Sequence, residues 1–126
     1  MKKKKDKNSI SSLKKELDRV FSIFIRKRDK GVCFTCGTRK PWKYMQNGHF
    51  VSRQYLSIRW DETNCNCQCA GCNVFKHGNM VEYSLRMIEK YGLEYIEELN
   101  KKKNQITKLD KAWYLTQIEH YKKLID

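Results

Sequence analysis

Apolar residues recur at steps of three and four from Ile10 onward, and this spacing predicts an amphipathic helix at the start of the chain. The apolar face carries Leu13, Leu17, Val20, Phe21 and Phe24. Ser9 or Ser11 is placed to cap the helix, and Gly31 is placed to end it. The opposite face is basic and carries Lys14, Lys15, Arg19, Arg26 and Arg28.

The same spacing returns in the last third of the chain and predicts three more helices. The first carries Met80, Tyr83, Met87, Ile88 and Tyr91 and closes at Gly92, and the second runs through Tyr95, Ile96 and Leu99. Residues 101–105 form a polar break. Thr107 followed by Asp110 resembles a capping box that opens a last helix carrying Trp113, Ile118, Tyr121 and Leu124. Aromatic residues at helical spacing more often belong to a core than to a ligand surface.

The middle of the chain has a different pattern. Gly37 and Pro41 mark turns, and residues 42–52 and 56–60 are short segments with aromatic and β-branched content. We predict two short strands joined by a loop, with His49 in or next to the first strand.

Two Cys-x-x-Cys pairs enclose this middle region. Cys33-Phe-Thr-Cys36 precedes it and Cys69-Ala-Gly-Cys72 follows it, and this arrangement is typical of a structural Zn2+ site with four thiolate ligands. Disulfides and a redox pair are the alternatives. The N-terminal lysines are followed by no apolar run, so we expect a reducing, cytoplasmic location, and no βαβ alternation surrounds either pair. Cys65 and Cys67 lack the pair spacing and are interpreted as buried free thiols.

The charge of the chain predicts a polyanionic partner. Its 27 Lys and Arg outnumber 14 Asp and Glu, which gives a net charge of +13. Basic residues inside the expected domain are candidates for binding nucleic acid, namely Arg39, Lys40, Lys43, Arg53, Arg59 and Lys76. A solubilising surface is the simpler alternative. Membrane attachment is not expected, because no run of 18 apolar residues occurs. Residues 1–8 are predicted to be a disordered basic tail, and residues 9–126 a single domain.

Several polar residues near the cysteine pairs are candidates for catalysis. Histidine suits the deprotonation of water near neutral pH, which makes His49 a candidate general base for phosphodiester hydrolysis. Such hydrolysis also needs a cation, and Mg2+ or Mn2+ takes oxygen ligands. His77 could reach this metal from the start of the following helix. The simpler alternatives are a packed or surface role for His49, turn or cap roles for Asn64 and Asn73, and a surface role for His77.

The order of these motifs resembles that of HNH endonucleases of the ββα-metal class, and more closely the NinG (Rap) family of phage recombination proteins. The resemblance covers about residues 17–95. It rests on Cys33-x-x-Cys36-Gly37, Gly48-His49-Phe50, Asp61-Glu62-x-Asn64-Cys65-x-x-Gln68-Cys69-x-x-Cys72-Asn73 and Gly78-Asn79. It implies that Asn64 shapes the loop holding His49 and that Asn73 contacts the catalytic metal. Many HNH nucleases have a ligand directly before the histidine, where this chain has Gly48, and we hypothesise that Asp61 or Glu62 supplies the missing oxygen.

The expected fold is α+β, with a small zinc-stabilised, treble-clef-like ββα-metal core flanked by N- and C-terminal helices. The expected function is a metal-dependent DNA endonuclease, and the resemblance implies cleavage of branched DNA such as Holliday junctions during phage recombination. A homodimer would suit symmetric junction cleavage. Two alternatives remain open: a zinc-stabilised DNA-binding module without catalysis, and a zinc protein that acts on RNA.

Overall fold

A computed structural model describes residues 6–126, so residues 1–5 of the predicted basic tail lie outside the described residues. Residues 6–8 form a turn in front of the first helix. The elements are α1 (Ile10–Arg28), β1 (Gln46–His49), α2 (Leu56–Arg59), β2 (Cys65–Gln68), α3 (Met80–Tyr91), α4 (Leu93–Lys102) and α5 (Lys111–Ile125). A 3₁₀ turn at Trp42–Tyr44 precedes β1, and a π-helical turn at Gly71–Phe75 follows β2. Mixed helix and strand content is therefore confirmed. Within residues 6–126, no helix is both long and apolar enough to span a bilayer.

The two strands form one antiparallel sheet with His49 at its edge. Gln46 pairs with Gln68 at one end, and His49 pairs with Cys65 at the other. His49 thus ends the first strand, as predicted. The predicted second strand at residues 56–60 is wrong, because that segment is the short helix α2. The true partner, β2, is buried along its whole length. It contacts α1 and also α3, where Asn66 donates a hydrogen bond to the Tyr83 hydroxyl at 3.0 Å.

Helix α1 begins and ends where the sequence predicts. The Ser9 side chain accepts a hydrogen bond from the Ser12 N–H at 3.1 Å and caps the first turn. Beyond Arg28, Lys30 and Gly31 adopt left-handed backbone angles, and the Gly31 N–H closes the helix on the Arg26 carbonyl. A Cβ atom at Gly31 would lie 1.9 Å from the Lys40 carbonyl oxygen, which explains the glycine.

Helices α1 and α5 pack together and form the main apolar core. Its buried members are Leu13, Leu17, Val20, Phe21, Ile25, Cys65, Tyr114, Ile118 and Tyr121. Asp110, not Thr107, caps α5, because its carboxylate accepts the Trp113 N–H at 2.8 Å. The predicted core face of α5 also shifts, since Leu124 is half exposed and Tyr114 is fully buried.

A second core joins α3 and α4. Tyr83, Met87 and Leu99 are buried there, and Phe34, Phe50, Tyr91, Tyr95 and Ile96 pack around them. Gly92 separates the two helices, as predicted. Met80 and Ile88, predicted on the buried face of α3, are partly exposed instead.

Candidate metal centre and histidine cleft

The two cysteine pairs meet in space and form one cluster. The sulfur atoms of Cys33, Cys36, Cys69 and Cys72 all lie within 4.8 Å of one another. Cys36 lies in the turn after α1, and Cys69 lies at the end of β2; their sulfurs are 3.7 Å apart. The Cys72 N–H donates a hydrogen bond to the Cys69 sulfur at 3.4 Å, which links the two cysteines of the second pair. Four converging thiols of this kind can hold a metal ion such as zinc.

The other two cysteines lie outside the cluster and are free and buried, as predicted. Cys65 belongs to the core between α1 and α5, and burial raises the pKa of its thiol. Cys67 packs beside the four-cysteine cluster, and burial there raises its pKa to about 12. Both therefore stay protonated at neutral pH, and neither sulfur belongs to the four-cysteine cluster.

A cleft of about 550 Å³ lies next to the cysteine cluster. Its walls come from α1, from β1 and the loop after it, and from the segment after Cys72. The lining includes Asp18, Gln46, Asn47, His49, Arg53, Asn73 and His77. The structure therefore brings His49, Asn73 and Arg53 of the predicted site residues to one cleft.

The hydrogen bonding of His49 leaves one ring nitrogen free to accept a proton. Its Nε2 lies 2.8 Å from the Arg59 carbonyl oxygen. A carbonyl can only accept, so Nε2 carries the hydrogen and Nδ1 is the basic nitrogen of the neutral ring. Burial lowers the pKa of His49 below its ordinary value, and the contact with the Arg59 carbonyl opposes this only in part. His49 is therefore a neutral, oriented base at pH 7.

Asn64 holds the loop that follows His49. Its side chain is fully buried and its Oδ1 accepts the Val51 N–H at 2.8 Å. Its Nδ2 donates to the carbonyls of Val51 and Ile58, at 3.0 and 3.3 Å. Its own carbonyl accepts the Phe50 N–H at 2.8 Å. These bonds tie the chain after β1 to the residue before β2, so Asn64 acts on the shape of this loop.

Asn73 and His77 approach the cleft from the chain after Cys72. Asn73 lies inside the π-helical turn and caps no helix; its Nδ2 donates to Gln46 Oε1 at 2.7 Å. His77, Gly78 and Asn79 all have positive φ angles, so the chain bends sharply before α3. Left-handed angles at residues other than glycine are costly and cluster at functional sites.

Asp61 and Glu62 lie away from this cleft. Asp61 pairs with Lys102 at 2.9 Å and bonds Thr63, and these contacts hold the pKa of its carboxyl below the usual value against the effect of burial. Glu62 accepts the Tyr121 hydroxyl at 3.2 Å. The carboxylate that lines the cleft is Asp18 of α1, which sequence reasoning missed. It is fully engaged by Arg59, by Arg53 and by the Trp60 N–H.

Position 48 faces buried side chains. A Cβ atom on Gly48 would lie 1.9 Å from Gln68 Oε1. The Gln68 side chain is itself fixed, because its Nε2 donates to the Thr35 hydroxyl and to the Gly78 carbonyl at 3.1 and 2.9 Å. A metal-binding side chain therefore does not fit directly before His49.

The basic candidates divide into three groups. Arg53 and Arg59 pair with Asp18 at the cleft. Lys43 and Lys76 are exposed on the two turns that flank it. Arg39 and Lys40 line a separate depression that also includes Lys30, Pro41 and Trp42.

The fold and the site define a small α+β protein in which a four-cysteine cluster adjoins a cleft with an oriented, neutral histidine. Comparison with known families gives the particular one. The family model described as "Bacteriophage Lambda NinG protein" matches residues 1–126, so the chain belongs to the NinG family.

Curated relatives named "Protein ninG" occur in several phages. That of Escherichia phage 933W is 30% identical over 92 residues, which cover 72% of this chain and 46% of the relative. That of Salmonella phage P22 is 31% identical over 86 residues, covering 68% of this chain and 42% of the relative. That of Escherichia phage lambda is 29% identical over 92 residues, which cover 72% of this chain and 45% of the relative. The matched region thus spans less than half the length of these relatives. No solved structure matches the chain.

Proposed function

We propose that this protein is a metal-dependent DNA endonuclease of the HNH class. The observation that carries the proposal is the orientation of His49: its Nε2 bonds the Arg59 carbonyl, and burial keeps its ring neutral. An endonuclease needs such a base to take a proton from the attacking water. In this proposal β1, β2 and α3 correspond to the two strands and the helix of a ββα-metal, treble-clef-like core.

The four-cysteine cluster is proposed to hold a structural Zn2+ ion. Four thiol donors with closed coordination leave no open position for substrate, so this site supports the fold and does not perform the chemistry. It ties residues 33–36 to the start of the π-helical turn, and that turn carries Asn73 to the cleft, where Asn73 bonds Gln46.

The residues of the cleft divide the catalytic work. His49 Nδ1 accepts the proton of the water that attacks the phosphorus atom, and Asn64 keeps the loop behind His49 in place. Asn73 and His77 are the residues that would hold a divalent cation, because both line the cleft and the carboxylate of Asp18 is occupied by arginines. When bound, Mg2+ or Mn2+ would offset the charge that builds on the phosphate and the leaving oxygen. Asp61 and Glu62 are not part of this proposed site, because they bond elsewhere.

The substrate and setting are proposed from charge and from family membership. A net charge of +13 suits a polyanion such as DNA. The NinG resemblance implies branched DNA, such as Holliday junctions formed in phage recombination, inside a bacterial or phage-infected cell. Symmetric cleavage of a four-way junction would need two active sites, which a homodimer supplies.

The test is cleavage of labelled DNA with and without added Mg2+ or Mn2+. We expect metal-dependent cutting that His49→Ala abolishes and that His120→Ala, which changes an exposed histidine of α5, leaves intact. Metal should be omitted instead of chelated, because EDTA also competes for zinc. Cleavage rates on four-way junction, flap, duplex and single-stranded DNA give the order of substrate preference. RNA is added as a competitor to test whether it displaces DNA from the protein.

A zinc-stabilised DNA-binding module is the second candidate. The side chain missing at Gly48 and the engagement of Asp18 by arginines favour it, since both remove carboxylate ligands from the cleft. Tight DNA binding without cutting in any metal would establish this alternative and contradict the endonuclease.

A further inference from the structure

Two aromatic side chains stand apart from all others in the protein. Tyr44 is 73% exposed and Phe75 is 79% exposed, whereas every other Phe, Tyr and Trp of residues 6–126 is buried or half-buried. Neither ring stacks on another aromatic residue or lies under a cation among the described residues. Exposing large apolar rings is unfavourable in water, so their position needs an explanation outside the packing of this chain.

Both rings belong to the turns that meet at the cleft. Tyr44 ends the 3₁₀ turn two residues before Gln46, and Phe75 ends the π-helical turn two residues after Asn73. The hydrogen bond of 2.7 Å between Gln46 and Asn73 joins these two segments. Two residues of chain span at most about 7 Å. Tyr44 and Phe75 therefore both lie close to the rim of the cleft that contains His49.

Each ring is accompanied by a positive charge. Lys43 directly precedes Tyr44, and Lys76 directly follows Phe75; both lysines are exposed and have no ion-pair partner among the described residues. An aromatic face next to a free ammonium group suits a nucleotide, because the ring stacks on the base while the lysine contacts the phosphate.

We propose that Tyr44 and Phe75 form a stacking platform for unstacked DNA bases beside the cleft. The inference rests on the proposed function and deepens it by naming two residues that would contact unstacked bases of the DNA. Bases inside a continuous duplex are already stacked on their neighbours, so the platform favours DNA in which bases are unpaired or splayed, as at a branch point, a flap or a single-stranded end. Insertion of an apolar ring at such a point also stabilises a bent or opened junction.

The test measures binding in magnesium-free and manganese-free buffer, so that it does not depend on cleavage. Fluorescence anisotropy gives the dissociation constants for a four-way junction, a flap and a perfect duplex of equal length. We expect Tyr44→Ala and Phe75→Ala each to weaken binding to branched DNA by about tenfold, the size of one lost stacking contact, with duplex binding unchanged. Phe75→Trp should retain the affinity and Phe75→Leu should not. Ile106→Ala, at an exposed apolar residue far along the chain, is the control. Both aromatic side chains are exposed, so their truncation leaves the cores intact.

A second readout locates the contact. With 2-aminopurine placed at the branch, binding of the parent protein should change the fluorescence of the 2-aminopurine. The Phe75→Ala variant should produce a smaller change. Equal affinity of the parent and both alanine variants for branched DNA overturns the inference, as does an equal loss on duplex. If the parent protein cuts DNA but either of these binding results is found, the proposed function stands and only the stacking platform is contradicted. A parent that binds no DNA overturns both.

Discussion

At the scale of single residues, Gly48 shows how the histidine strand is constrained from behind. We expect Gly48→Ala to destabilise the protein by about 1–3 kcal/mol, the usual range for overpacking, because the new methyl group would collide with Gln68 Oε1. Thermal or denaturant unfolding measures the loss. In a Gln68→Ala background the same substitution should cost less, since the obstructing side chain is absent; equal costs in both backgrounds would contradict this packing.

His49 gives a prediction about pH. Burial disfavours its imidazolium form, so the folded protein loses the His49 proton below the ordinary pKa of 6.5. The neutral imidazole, which can accept a proton, predominates above the pKa of His49 in the folded protein, and the imidazolium predominates below it. We therefore expect the rate of DNA cleavage to rise with pH, with a midpoint below 6.5, and to level off toward neutral pH. DNA binding should be measured over the same range as a control. A midpoint clearly above 6.5 would argue against His49 as the base.

Residue types and spacing were enough to find the cysteine cluster, but not all of the cleft. The four sulfurs converge as predicted, because each Cys-x-x-Cys pair places two thiols on one tight turn and two such turns supply the four ligands of a tetrahedral site. Asp18 was missed because it lies on the polar face of α1, where a carboxylate among basic residues resembles an ordinary surface charge. Only the folding of residues 53–60 against α1 brings it to His49.

At the scale of secondary structure elements, α5 tests which residue sets a helix start. Asp110→Ala should lower the free energy of unfolding by about 1 kcal/mol, because it removes the acceptor for the Trp113 N–H. Thr107→Ala should change it little, since the Thr107 hydroxyl bonds only the Gln105 carbonyl within the turn. Urea unfolding of both variants makes the comparison, and a larger effect at Thr107 would reverse the assignment.

The long helices were predictable, whereas one strand was not. Apolar spacing in α1 and α3 follows the helical period, and Ser9, Gly31 and Gly92 mark their ends. Segment 56–60 has strand-like composition but forms α2. The actual strand, Cys-Asn-Cys-Gln, contains two polar residues and therefore does not resemble a buried strand. Asn66 and Gln68 are nevertheless buried, because they form specific hydrogen bonds that a sequence pattern does not reveal.

At the scale of the whole molecule, the cysteine cluster predicts dependence on a metal. We expect about one zinc ion per chain, and Cys36→Ser should abolish its binding and lower the melting temperature by more than about 10 °C. Cys36 is exposed, so its loss removes a ligand and little packing. Zinc content and thermal unfolding of the purified protein provide the measurements.

The buried cysteine Cys65 provides the matched control for this experiment. Cys65→Ala changes a thiol in the core between α1 and α5, outside the cluster, and should therefore retain full zinc content. Loss of zinc in Cys65→Ala, or its retention in Cys36→Ser, would contradict the four-cysteine site.

The strand β2 has a further consequence, because three of its residues contact the three buried clusters found among residues 6–126. Cys65 belongs to the core between α1 and α5, Asn66 bonds Tyr83 in the core of α3 and α4, and Cys67 packs in the cysteine cluster. One short strand thus contributes residues to three buried clusters. Loss of packing in one cluster would displace β2 and so weaken the other two clusters. The described part of the chain should therefore unfold in one cooperative step, and no smaller part of it should fold by itself.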